Sequence, residues 1–297
     1  MPLALGVDAG GTTSRAVLSD LDGHTLGRGK AGPGNPLTAG SAAATSIGTA
    51  IRAALGYHNP ADVIAAVVGV AGVTALSDPA VTDAFAREWQ AIGLTGTVEI
   101  VGDAITAFAA GTTADHGTVL IAGTGAVAAV IANGQITRTA DGLGWLLGDE
   151  GSGLWLGLQA LRAAARDFDT SLAATIAAHL GVRTRDELVH WASRVPPPTF
   201  ANLAPLVCRA ARDNDPTAAE LVADASTHLI ATLDQLEMPD APIVLAGSLL
   251  TARTPVREGV LKLLSRRPNE VSIAKDPAAG AARLAIRRTF HSKKQIN

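Results

Sequence analysis

Cysteine is almost absent from this chain of 297 residues, with Cys208 the only one. That excludes an intrachain disulfide, a cysteine-based zinc site and an iron–sulfur cluster held by a single chain. Aromatic residues make up 3% of the sequence, so any core has to be built from aliphatic and small side chains. Charge is also sparse. Lys and Arg number 24 against 27 Asp and Glu, a net −3, which supplies no basic face for a nucleic-acid backbone. The longest apolar stretch, residues 63–76, contains Gly69 and Gly72 and is too short to cross a bilayer. The N-terminus lacks the basic start and cleavage pattern of a signal peptide. These absences lead us to expect a soluble cytoplasmic protein with no nucleic-acid or membrane partner. What is abundant is Ala and Gly, with 47% hydrophobic residues and a mean hydropathy of +0.25. Such a composition folds rather than staying disordered, and the length fits two domains.

The N-terminal stretch carries the first chemical signal. An apolar run over residues 3–7 reaches Asp8, then Ala9-Gly10-Gly11-Thr12-Thr13-Ser14, then a second apolar run to Leu18. The flanks favour strands, and two glycines permit a tight turn. Such a turn can bring backbone N–H groups and the hydroxyls of Thr12, Thr13 and Ser14 against a phosphate. Asp8, at a strand end, can hold hydrated Mg²⁺. An ordinary Gly-Gly hairpin fits the same residues.

Downstream, Ala31-Gly32-Pro33-Gly34-Asn35-Pro36 reads as a loop in which the Asn35 amide either faces outward or closes an Asx turn. Residues 64–70 form a continuous apolar run, the mark of a buried parallel strand. A strand over residues 98–101 leads into Gly102-Asp103-Ala104 and a helix. Asp103 is there either an N-cap or a general base at a strand's carboxyl end.

The second half repeats this plan. Residues 118–122 are a strand, Gly123-Thr124-Gly125 a turn, residues 126–132 a strand, and Asn133-Gly134 a hairpin turn. Repetition at this level is a stronger signal than either glycine turn alone. A third glycine is missing from Gly123-x-Gly125, so it is not a dinucleotide fingerprint, and no Walker loop occurs. Then comes Asp141-Gly142-Leu143-Gly144-Trp145-Leu146-Leu147-Gly148-Asp149-Glu150-Gly151-Ser152 ahead of a helical run. Acidic groups there suit either a helix N-terminus or sugar hydroxyls. Adjacent Asp149 and Glu150 cannot flank one glycosidic bond. Residues 158–236 read as helices, with breaks at Gly181, Pro196 to Pro198 and Asn214-Asp215-Pro216. His179 and His190 lie among them without metal-ligand spacing. Arg287, Arg288, Lys293 and Lys294 read as a solvated helix end.

The pattern Asp8-x-Gly10-Gly11-Thr12 resembles the first phosphate loop of the sugar kinase, Hsp70 and actin superfamily. The run Gly148-Asp149-Glu150-Gly151-Ser152, with Gly32-Pro33-Gly34-Asn35, Asp103, Gly123-Thr124-Gly125 and Ala246-Gly247-Ser248 in order, resembles the N-acetylglucosamine kinase branch of the BadF/BadG/BcrA/BcrD ATPase family. The resemblance implies an α/β fold of two ribonuclease H-like (actin-like ATPase) domains, residues 1–114 and 115–297, with an interdomain cleft. It also implies a helical insertion at about residues 158–236 in the second domain, with the last helix packing back on the first. It implies ATP and Mg²⁺ as cofactors, a small-molecule amino sugar as partner, and admits a homodimer. Asp103 would be the catalytic base. Asn35, Asp103, Gly144 and Asp149 would contact the sugar. Gly10, Gly11, Thr12 and Thr13, with Gly123, Thr124 and Gly125, would hold the phosphates. Gly247 and Ser248 would lie near the adenosine, and Asp8 would serve the metal. The family commonly has Gly-Gly-x-Gly where this chain has Asp141-Gly142-Leu143-Gly144. Asp141 would then either favour a free 2-amine on the sugar or point to solvent. The expected reaction is phosphorylation of the 6-hydroxyl of N-acetylglucosamine, with glucosamine or N-acetylmuramic acid as alternative acceptors. A dehydratase-activating ATPase or a non-catalytic sugar sensor are rivals of another class. The single Cys208 argues against the activator, which holds a cluster with cysteines.

Overall fold

The computed structural model describes residues 1–238 and 240–294. Its first half opens with three strands, β1 (Leu3–Ala9), β2 (Ser14–Asp20) and β3 (Thr25–Ala31). Helices α1 (Pro36–Ala39) and α2 (Ala42–Leu55) follow, then β4 (Val63–Val70), α3 (Pro79–Ile92), β5 (Thr97–Gly102) and α4 (Asp103–Gly111). These strands form one sheet in the order β3-β2-β1-β4-β5. β1 pairs antiparallel with β2 and parallel with β4, and β4 pairs parallel with β5. The apolar run of β4 is buried almost throughout, as a parallel strand covered on both faces must be.

The second half repeats the plan with β6 (His116–Ala122), β7 (Ala126–Ala132) and β8 (Gln135–Asp141). Five helices then intervene: α5 (Gly153–Arg166), α6 (Ser171–Leu180), α7 (Arg185–Arg194), α8 (Ala204–Arg212) and α9 (Pro216–Asp234). β9 (Ile243–Ala246), α10 (Ser248–Thr251), α11 (Pro255–Leu264), β10 (Val271–Ile273) and α12 (Pro277–Lys294) complete the chain. The sheet order is β10-β9-β6-β7-β8, the same arrangement as the first sheet. Within the expected helical stretch the chain also breaks after Arg166. Thr170 restarts it by accepting the backbone N–H of Ala173 at 3.2 Å, an N-cap of the kind hydroxyl residues favour.

Two compact units result. One comprises Met1–Asp115, Asn133–Ile136 and the chain from Ala274 on; the other comprises His116–Ala132 and Thr137–Ile273. The first core centres on Leu5, Val7, Ile47, Ile51, Val68 and Phe85. The second centres on Leu120, Leu156, Ile176, Leu229 and Leu245. With so few aromatics, close packing relies on small residues. Gly27 and Gly29 of β3 lie directly under the carbonyls of Ala54 and Ala50 in α2, and a methyl at Gly6 of β1 would run into Ala278 and Ala282 of α12. Interiors this dense leave no slack for an added carbon.

Arg287 and Arg288, expected as solvated, are engaged instead. Arg287 Nη2 donates to Thr113 O at 3.1 Å, and Arg288 pairs with Glu99. The side chains of Lys293 and Lys294 lie outside the described residues. No described helix is long and apolar enough to cross a membrane.

Candidate active site

In the first unit the site-forming residues gather at the carboxyl ends of β1, β4 and β5, where ligand loops of parallel sheets lie. Asp8 is next to last in β1, and its Oδ2 is 3.7 Å from Nη1 of Arg15 across the hairpin. Burial pushes the Asp8 pKa up to about 6, and Asp103 adds to the rise while Arg15 opposes it. Two carboxylates therefore share one partly desolvated region. Asp103 is the first residue of α4, and the N-cap position belongs to Gly102. Asp103 therefore stands one residue inside the cap, with its carboxylate still beside the N–H groups of the first turn. Burial raises the Asp103 pKa, against the backbone N–H of Ala104, and its carboxylate has no side-chain partner among the described residues.

The first glycine turn is tied by its backbone. Gly10 N donates to Thr13 O at 3.0 Å, Gly10 O accepts from Gly34 N at 3.0 Å, and Ala9 O accepts from Ala71 N at 3.0 Å. The loops after β3 and β4 are thereby fixed to the hairpin. Neither Gly10 nor Gly11 has a positive φ. Their value is space: nothing lies within 4 Å of a Cβ built on Gly11. Thr12 is exposed and Thr13 half-buried. Ser14 departs from expectation. It is fully buried in β2 and its Oγ has no partner among the described residues, so it cannot reach a phosphate. Alternation along the strand turns it inward. Asn35 does form an Asx turn, its Oδ1 accepting from Leu37 N at 2.9 Å. Its amide nitrogen makes no hydrogen bond among the described residues. A Cβ on Gly72 (φ +71°) would come 2.5 Å from Asn35 Oδ1, so glycine there leaves room for it.

In the second unit the glycine turn is wired differently. Gly123 N donates to Gly125 O at 2.9 Å, and Gly123 O and Thr124 O accept from Gly153 N at 2.8 Å and Leu154 N at 3.1 Å at the start of α5. Asp149 covers the turn. Its Oδ1 accepts from Ala126 N at 2.9 Å, and a Cβ on Gly125 would lie 2.7 Å from that oxygen. Burial raises the Asp149 pKa, and Asp141 adds to the rise. Gly247 (φ +81°) packs against the Ala122 backbone, and Ser248 lies near Gly123. Gly144 (φ +80°) sits in the exposed turn of residues 142–148, with open space around it.

The Asp141 carboxylate is turned onto the backbone of the loop that follows it. Oδ1 accepts from Asp149 N at 2.7 Å and Oδ2 from Glu150 N at 2.9 Å. Glu150 is also committed, 2.8 Å from His228 Nδ1, and His228 meets Trp155 edge-on with centroids 5.0 Å apart. Nothing local in the sequence marks His228, which comes from α9. The one clue is that α9 follows the acidic loop within the same unit.

The residues present suit a magnesium nucleotide. Asp8 and Asp103 offer hard oxygen donors, which Mg²⁺ prefers. The first glycine turn presents open backbone at Gly11, as a phosphate requires.

The sequence profile of the BadF/BadG/BcrA/BcrD ATPase family matches residues 5–285. An N-acetylmuramic acid/N-acetylglucosamine kinase of Clostridium acetobutylicum is 26% identical, across 96% of this chain and 98% of its own length. A glucosamine kinase of Vibrio cholerae is 26% identical, across 76% of this chain and 79% of its own. Among solved structures, a candidate N-acetylglucosamine kinase of Chromobacterium violaceum superposes with a TM-score of 0.79 at 25% identity, covering 96% of this chain and 99% of the other.

Proposed function

The chain belongs to the BadF/BadG/BcrA/BcrD ATPase family, and from that premise we propose that it is an ATP-dependent amino-sugar kinase, phosphorylating the 6-hydroxyl of N-acetylglucosamine. The observation that carries this reading is Asp103. It is a desolvated carboxylate at the carboxyl end of β5, with no side-chain partner, whose field reaches Asp8 at the head of the first glycine turn. A base for a sugar hydroxyl needs that freedom to accept a hydrogen bond.

In this reading Asp103 accepts the proton of the 6-hydroxyl and orients its oxygen toward the γ-phosphorus. Backbone N–H groups of the two glycine turns, with the Thr12, Thr13 and Thr124 hydroxyls, hold the phosphates. Gly247 and Ser248 lie on the adenosine side. Asp8 would hold Mg²⁺ through water, and the bound ion supplies neutralisation of phosphate charge. The free amide of Asn35 and the second oxygen of Asp149 would contact the sugar hydroxyls. Catalysis of this kind is positioning plus electrostatics. The two backbone N–H groups on Asp141 account for its place in the loop without a free 2-amine on the sugar.

The test is ADP release with ATP and Mg²⁺ across glucose, glucosamine, N-acetylglucosamine and N-acetylmuramic acid, with Asp103→Asn as control. Release with N-acetylglucosamine that the control abolishes supports the assignment. Hydrolysis of ATP indifferent to every sugar would sink it.

A further inference from the structure

Asp141 ends β8 in the left-handed region, at φ +59°, and Asp149 takes up the same region at φ +57°. Non-glycine residues adopt that conformation only against a cost, so something must hold both. The hydrogen bonds show what does. The Asp141 carboxylate accepts from the backbone N–H groups of Asp149 and Glu150, two charge-assisted bonds on one side chain. It closes the neck of the turn at 142–148, and Gly148 has no room for a side chain because that carboxylate occupies the space. The held Asp149 in turn accepts from Ala126 N, immediately after the glycine turn of residues 123–125. Asp149 O also accepts from Ser152 N at 3.1 Å, which ties the same residue to the start of α5.

These contacts make one chain: carboxylate of Asp141, backbone N–H of Asp149, carboxylate of Asp149, backbone N–H of Ala126. We propose that Asp141 is a positioning residue, which acts through Asp149 to couple the acidic loop to the second glycine turn. In the kinase reading Asp141 acts on the sugar only through Asp149. The loop it cinches bears Leu143, Leu146 and Leu147, all more than 60% exposed, so the loop has little burial of its own to hold it. The role of the coupling in turnover rests on the kinase reading above, whereas its existence does not.

Two measurements on the intact chain separate these. The first is hydrogen–deuterium exchange without ligand. Asp141→Asn keeps one acceptor, and Asp141→Gly removes both while accepting the positive φ freely. Both variants are expected to speed exchange in the peptide over residues 142–150 and also in the one over residues 123–127, with the glycine variant showing the larger change. Faster exchange confined to residues 142–150 would overturn the coupling. The second is a kinetic cycle with the sugar that the wild type uses. Asp141→Asn should lower kcat/KM about 10–150-fold, the usual scale for one bond to a charged group. It should have no further effect in an Asp149→Ala background, since residues acting as a unit are non-additive. Multiplying losses would overturn the proposal. If no sugar is phosphorylated, the kinase reading fails while the exchange result still decides the coupling.

Discussion

The two glycine turns occupy equivalent places in two sheets of the same strand order, yet they are held by different means. The first follows a strand that carries its own acid, Asp8, and is tied by backbone to the loops after β3 and β4. The second follows a strand that carries no acid, with Ile121 where the first has Asp8. Its carboxylate, Asp149, arrives from a loop more than twenty residues later and is itself held by Asp141. Similar turns are thus held by different supports. In the first unit the acid is built into strand register. In the second it depends on a loop conformation that two residues hold against their backbone preference.

Substitutions can break or sharpen this contrast. The largest effect is expected from Asp103→Asn, which removes the proton acceptor and keeps the shape. Turnover should fall about 10²–10⁴-fold with sugar binding retained, as read by steady-state kinetics and calorimetry. Next come the glycines. Gly125→Ala pushes a methyl against the Asp149 carboxylate and should cost about 1–3 kcal/mol of stability. Gly11→Ala meets open space and should stay within about 0.5 kcal/mol while weakening nucleotide binding. Equal losses of Tm in the two variants would erase the contrast.

A subtler effect concerns pH. The folded pKa of Asp103 is raised above its unfolded value, so between the two values the folded state binds more protons. Its contribution to stability is present at low pH and is lost as pH rises through the folded pKa. Asp103→Asn should therefore gain Tm relative to wild type at neutral pH and lose that advantage below pH ~4. A Tm difference that does not change with pH would refute the buried-charge account. The smallest effect is expected from Glu150→Gln, because its partly exposed pairing with His228 belongs to a class worth about 0–1 kcal/mol. A large loss of kcat/KM there would show that Glu150, and not Asp149 alone, serves the site.

Much of this was legible in residue order. The strand–turn–strand repeat, the buried strand β4 and the positions of Asp8 and Asp103 follow from periodicity and from glycine at turns, which are properties of neighbours along the chain. Asp103's place one residue inside the cap was not legible, because Asp at a strand–helix junction fits both roles until the backbone assigns the cap to Gly102. Nor was the burial of Ser14, since a shift of one residue in register reverses which face a side chain takes.

By itself, then, the sequence determined two sheets of one plan, two glycine turns and a family membership carried by ordered motifs. The tertiary structure alone decided what each carboxylate meets. Asp141 and Glu150 look as available in the sequence as Asp103 and Asp149. Folding spends Asp141 on two backbone N–H groups and Glu150 on a histidine from another helix, and it leaves Asp103 desolvated without a side-chain partner. The reason is physical. Whether a carboxylate is free depends on the donors brought to it through space, and chain order does not encode those distances residue by residue.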